Sequence, residues 1–182
     1  MSKLPHTRRI LLLALLAAAG PASWAAEDDG VEYQVKAAFV CKFGNYVEWP
    51  PQGLAAGEPF RIGVLGSDAV LEEFRRTAAA ASVGGRTIEV RRLVRSELPE
   101  GLHAVFVTRA MSGQATAVMA AARGRPILTI TELDPGAATG MINFVVVEDK
   151  VRFDILLQPA VQSGLKISVR LLGVARRVEG RS

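Results

Sequence analysis

The stretch FRIGVLGSDAVLEEFRRTAAA, residues 60–80, decides the fold. Its first six residues form a short apolar and β-branched run of the kind that makes a buried strand over 60–65. Gly66-Ser67-Asp68 then turns the chain, with Ser67 or Asp68 as N-cap, into a helix over 69–81. Strand, turn and helix in this order are the repeating unit of parallel sheets joined by crossover helices. The rhythm continues downstream. A tight turn falls at Gly84-Gly85, strands at 87–93 and 103–108, an alanine-rich helix at 112–122 and a strand at 126–131. It then changes: 141–147 and 151–157 flank Glu148-Asp149-Lys150, which reads as an antiparallel hairpin. Two helical pieces, 158–163 and 167–178, close the chain.

Upstream of the deciding stretch, 31–48 reads as an amphipathic helix, with Val35, Ala38, Phe39, Phe43, Tyr46 and Val47 at three- and four-residue steps. Asp29 and Glu32 fit a capping box at its start, and Trp49-Pro50-Pro51 ends it because the residue before proline is driven out of the α region. The pattern is α/β: a mixed, mostly parallel sheet with a C-terminal antiparallel hairpin and helices on both faces. With short connections and no internal repeat, residues 26–182 form one domain, and their roughly 157 residues suffice for a single hydrophobic core.

Residues 1–25 read as a secretory leader. Lys3, Arg8 and Arg9 precede an apolar run over 10–19, followed by Gly20-Pro21 and the small residues Ala22, Ser23, Ala25 and Ala26, which places cleavage near Ala25/Ala26. Ten apolar residues are half the ~20 that a spanning helix requires. The whole chain holds 22 Lys+Arg against 18 Asp+Glu, and losing the leader leaves 19 against 18. A nearly neutral domain gives no electrostatic footprint for nucleic acid, and the surviving arginine pairs read as solvated faces. The address is outside the cytoplasm.

Residues that could carry chemistry are sparse. The single cysteine, Cys41, has no intrachain partner and reads as a core residue. Downstream of the leader the only histidine is His103, which opens an apolar strand. No metal-ligand spacing, nucleophile elbow or complete dinucleotide fingerprint is present, so the expectation is no catalytic residue, no metal and no cofactor. Glu72, Glu73 and Asp154 are scattered carboxylates, and the Gly66-Ser67 turn is the natural place for a ligand pocket if the protein binds a small molecule.

Several stretches in order resemble the YfiR family, which includes HmsC-like proteins. They are Glu32-Tyr-Gln-Val-Lys-Ala-Ala-Phe39 with Val47-Glu-Trp-Pro50, then 60–66, Val83-Gly-Gly-Arg-Thr-Ile-Glu-Val90, Gly140-Met-Ile-Asn-Phe144 with Val151-Arg-Phe-Asp-Ile155, and Gly164-Leu-Lys-Ile-Ser168. The resemblance implies a Rossmann-like α/β sandwich in the periplasm that represses an inner-membrane diguanylate cyclase through its periplasmic sensor region. It also implies release by an OmpA-like outer-membrane lipoprotein, with cyclic-di-GMP and biofilm formation rising in consequence. The alternative is a periplasmic small-molecule-binding protein. Several relatives carry paired cysteines; here the matching strand has Gly63, and the region of His103 has none.

A partner surface is suggested by alternation in 151–157. Val151, Phe153, Ile155 and Leu157 share one face, while Leu156 stands with Arg152 and Asp154 on the other as an apolar side chain among polar ones. The closing helix, with Leu165, Ile167, Leu171, Leu172, Val174 and Val178, has more apolar positions than one buried stripe needs. Leu156, Asp154, Leu165, Lys166 and the Trp49 end of the first helix are the candidate contacts, and self-association into a homodimer is left open.

Overall fold

The computed structural model of the chain describes residues 22–134 and 137–180, with side chains from residue 30 onward. The basic stretch and apolar run of the expected leader lie outside the described residues. The first helix, α1 (Ala22–Phe43), is already helical through the expected cleavage point and through Asp29, so Asp29 is no N-cap. It also stops earlier than the periodicity suggests. A 3-10 turn, Gly44–Tyr46, leads into a short strand β1 (Val47–Glu48). Gly44 causes the stop: a Cβ there would lie 2.5 Å from Val83 Cγ2 and 3.2 Å from Phe60 Cζ, so only glycine lets the helix end settle on the sheet. The buried face of α1 is Lys36, Ala37, Val40, Cys41 and Phe43, rotated from the expected one, which left Val35 and Tyr46 more than a third exposed.

The deciding stretch folds as read. β2 (Phe60–Leu65) has the expected ends, and α2 (Asp68–Ala79) starts from Ser67, whose hydroxyl accepts from the Val70 N–H at 3.4 Å. After it come β3 (Ser82–Val83), β4 (Arg86–Arg92), β5 (Ala104–Val107), a 3-10 segment (Arg109–Gln114), α3 (Ala115–Ala122) and β6 (Leu128–Thr131). β7 (Ile142–Val147) and β8 (Lys150–Leu156) form the hairpin. Its two loop residues, Glu148 and Asp149, both have positive φ (50° and 56°), as a two-residue primed turn requires.

Among the described residues eight strands make one sheet in the order β10-β8-β7-β6-β5-β2-β4-β3, where β10 is Arg177–Glu179. β4, β2, β5, β6 and β7 run parallel; β3 and β8 are antiparallel to their hairpin partners. From β2 the chain winds through α2 to β4 and from β5 through α3 to β6, in opposite directions along the sheet. Alternate residues of β5 accordingly serve two cores. Ala104 and Phe106 pack with Val40, Phe74 and Phe144 under α1 and α2, whereas Val105 and Val107 pack with Ala115 and Val118 of α3. Phe74 stacks on Phe106 at 4.9 Å, and Phe43 meets Phe153 edge-on at 5.1 Å. Each such fully buried ring contributes about 2–3 kcal/mol of transfer free energy. Asn143, from the GMINF stretch, extends the β6 ladder by side chain: Oδ1 accepts from the Leu133 N–H at 2.9 Å and Nδ2 donates to the Leu133 carbonyl at 3.0 Å.

The C-terminus departs most from expectation. α4 (Leu157–Gln162) replaces the first closing helix nearly in place, but the second is broken into β9 (Lys166–Ile167), α5 (Val169–Val174) and β10. β9 pairs antiparallel with β1, and β10 pairs parallel with the outer edge of β8. Unpaired strand edges carry unsatisfied backbone groups, and here the last residues supply the partner. Among the described residues no helix is long and apolar enough to cross a membrane.

Candidate functional site

The β1–β9 pairing joins two segments that lie 118 positions apart, Glu48↔Lys166 and Val47↔Ile167. It brings Lys166 and the segment that opens with Trp49 to one place. The Lys166 ammonium lies 3.9 Å from a Glu48 carboxylate oxygen, with the two side chains 82% and 78% exposed. Trp49 is half-buried; its indole N–H donates to the Pro126 carbonyl at 3.0 Å, and its ring meets Phe60 edge-on at 5.2 Å. Asp154 and Leu156 lie on β8 opposite Arg177 and Glu179 of β10. Asp154 accepts from the Arg176 Nε–H at 2.8 Å and also binds Arg176 Nη2. Those hydrogen bonds push the guanidinium further above its ordinary value. Leu156 is half-buried, so the alternation read from the sequence is real but incomplete. Leu165 is 1% exposed and supports this surface from beneath. α4 packs on both β9 and β10 and so connects the two groups.

Three further valines of the C-terminal stretch are exposed, Val161 on α4 and Val169 and Val174 on α5, by 71%, 79% and 64%. Of the apolar positions assigned to the closing helix, Leu165 and Leu171 are buried and Val174 is exposed. The surplus of apolar residues was the one sequence signal for this exposure. Val169 could not be assigned without knowing that the segment breaks at Ser168, whose hydroxyl accepts from the Leu171 N–H at 3.3 Å. Paired charges beside exposed aliphatic side chains suit recognition of another protein.

Elsewhere, most buried polar groups are committed to structure. His103 is 3% exposed, stacks on Phe60 at 5.1 Å, and uses Nδ1 to accept from the Arg61 N–H at 2.9 Å. Burial first, then the Arg61 charge, holds its pKa below the usual histidine value. At the carboxyl ends of β5 and β6, Glu132 and Lys36 form a buried ion pair that no local pattern announces. Lys36 also pairs with Glu32. Tyr33 Oη donates to Glu132 Oε1 at 2.8 Å, and the Arg109 N–H donates to the same oxygen at 2.8 Å. Both Glu132 oxygens are thereby engaged, which suits fastening α1 to the sheet better than moving protons. At the Gly66-Ser67 turn, expected as the pocket of a small-molecule carrier, Ser67 caps α2 and the Thr108 methyl lies 2.7 Å from where a Gly66 Cβ would stand. Cys41 is 1% exposed, and burial pushes its thiol up to about 11. The space beside Gly63 is filled by Leu93 and Leu102. Among the described residues no group of three or more His, Cys, Asp or Glu side chains could hold a metal ion.

Among curated proteins none matches the chain. A family model described as YfiR/HmsC-like matches residues 33–176, which run from the tyrosine bound to Glu132 to the arginine bound to Asp154. By a match over most of its length the chain belongs to the YfiR/HmsC-like family of periplasmic regulators in cyclic-di-GMP signalling, a regulatory rather than a catalytic family.

Proposed function

We propose that the chain is exported by a leader cleaved near Ala25/Ala26 and, in the periplasm, represses an inner-membrane diguanylate cyclase by docking on its periplasmic sensor region. The docking surface is the Glu48–Lys166 pair with the Trp49 segment, Asp154, Leu156 and the exposed valines of α4 and α5. Repression lowers cytoplasmic cyclic-di-GMP and biofilm formation. An OmpA-like outer-membrane lipoprotein relieves it by taking the repressor away.

The observation that carries this reading is the exposure of Val161, Val169 and Val174 and of the Glu48–Lys166 pair in a chain of this family. An aliphatic patch rimmed by charge gives a partner both buried area and register. Deleting the gene is expected to raise cyclic-di-GMP and matrix production in a host that holds the cognate cyclase, and to change nothing in a strain without that cyclase. Unchanged cyclic-di-GMP in the first strain would overturn the reading in favour of a small-molecule carrier.

A further inference from the structure

A cavity of about 310 Å³ lies at the amino ends of the parallel strands, opposite the edge where the Gly66-Ser67 turn sits. Its open wall mixes the apolar side chains of Val47, Trp49, Pro50, Pro51, Leu54 and Val83 with polar surface. Its one charged lining residue is Arg86, the first residue of β4. Arg86 Nε is shut off from water and has no hydrogen-bond partner, and Nη2 only reaches the Ala55 carbonyl at 3.5 Å. The other arginines of β2 and β4 have carboxylate partners. Arg61 pairs with Glu58 and Glu89, Arg91 with Glu89, and Arg92 with Asp68, while among the described residues no carboxylate lies within ion-pair distance of Arg86. Asn45, also on the wall, has its amide fixed to the Ser82 carbonyl and the Gly84 N–H, each at 2.9 Å. Gly84, with φ of 55°, keeps the space beside the guanidinium clear: Arg86 Nη1 lies 3.4 Å from where its Cβ would stand.

An unpaired guanidinium with a desolvated N–H, beside apolar side chains, is the complement of an anion on an apolar body. We propose that this cavity binds a small monocarboxylate, its carboxylate on Arg86 and its aliphatic or aryl body against Trp49, Pro50 and Leu54. A carboxylate fits the fork of guanidinium donors side-on and satisfies the orphaned Nε–H. No acidic residue lines the cavity to receive an ammonium, so a simple acid is preferred over the α-amino acid or amine with the same body. The site shares the Trp49 segment with the proposed repressor surface, but Arg86 lies outside that surface, and binding of the acid is read independently of repression.

The test uses protein recovered from the periplasmic fraction, in which Trp49 is the only tryptophan beyond the proposed leader. Trp49 fluorescence and titration calorimetry follow binding of 3-phenylpropionate and of hexanoate. A saturable response is expected, weakened at least tenfold with neutral 3-phenylpropanol, with 3-phenylpropylamine and in Arg86→Gln. The comparison of acid with alcohol on the unmodified protein keeps the test valid should Arg86→Gln unfold. Equal binding of acid and alcohol, undiminished binding by folded Arg86→Gln, or no saturable response to either acid up to about 10 mM would overturn the proposal.

Discussion

Charge occupies two opposite settings near the two ends of α1's described face. Lys36 and Glu132 are each 2% exposed, sealed between α1 and the sheet. Glu48 and Lys166, just beyond the helix, are 78% and 82% exposed. The chemistry is the same, a carboxylate and an ammonium, and the surroundings give it different roles. In the interior neither charge can be lost without stranding the other, so the pair acts as a fastener. At the surface water and salt screen the attraction, so the pair adds little to the fold and stays free to meet a partner.

The largest effect should come from breaking the buried pair. Lys36→Met leaves Glu132 uncompensated and is expected to cost about 3–5 kcal/mol in urea unfolding. The double variant Lys36→Met with Glu132→Leu should regain most of that loss. A single variant as stable as the parent would mean that the Glu132 carboxylate is in contact with water and that the contrast between the settings is false.

Cys41→Ser comes next, at about 1–3 kcal/mol, because a hydroxyl takes the place of a thiol among apolar neighbours. With the thiol held up at about 11, iodoacetamide at pH 8 should label Cys41 only on unfolding. Rapid labelling of the native protein would place the thiol at the surface. His103 sharpens the contrast from a third side. Its lowered pKa means that the fold favours neutral imidazole, so its contribution is complete above about pH 6.5 and declines as pH falls through the folded value. The slope is at most about 1.4 kcal/mol per pH unit for one proton and should flatten in His103→Gln. The smallest stability effect belongs to the exposed pair: Lys166→Glu should shift stability by less than about 1 kcal/mol.

The interior strands were legible because their signals are local. The run from Phe60 to Leu65 ends at a glycine and an N-capping serine, and the hairpin is announced by polar residues between two apolar runs. The fate of 167–178 was not, since its last residues become β10 on the open edge of β8, a partner that lies far off in the sequence. The α1 phase was lost for a related reason. A buried lysine breaks the apolar stripe by which a face is recognised, and its partner Glu132 is 96 positions away. For the candidate surface, alternation found Leu156 and Asp154 and the surplus of apolar residues found the region. Leu165 looked like its neighbours yet is buried, and the exposure of Val169 depended on a break that no periodicity marks.

The most direct measurement is cyclic-di-GMP in a deletion strain that holds the cognate cyclase and is complemented in turn by the parent, Lys166→Glu and Leu156→Asp, with circular dichroism of each purified protein. The expected result is that both variants fold and accumulate as the parent does but leave cyclic-di-GMP at the level of the deletion, since a central contact of this kind contributes on the order of 2 kcal/mol to binding. Folded variants that lower cyclic-di-GMP as far as the parent does would contradict the assignment of this surface to the cyclase.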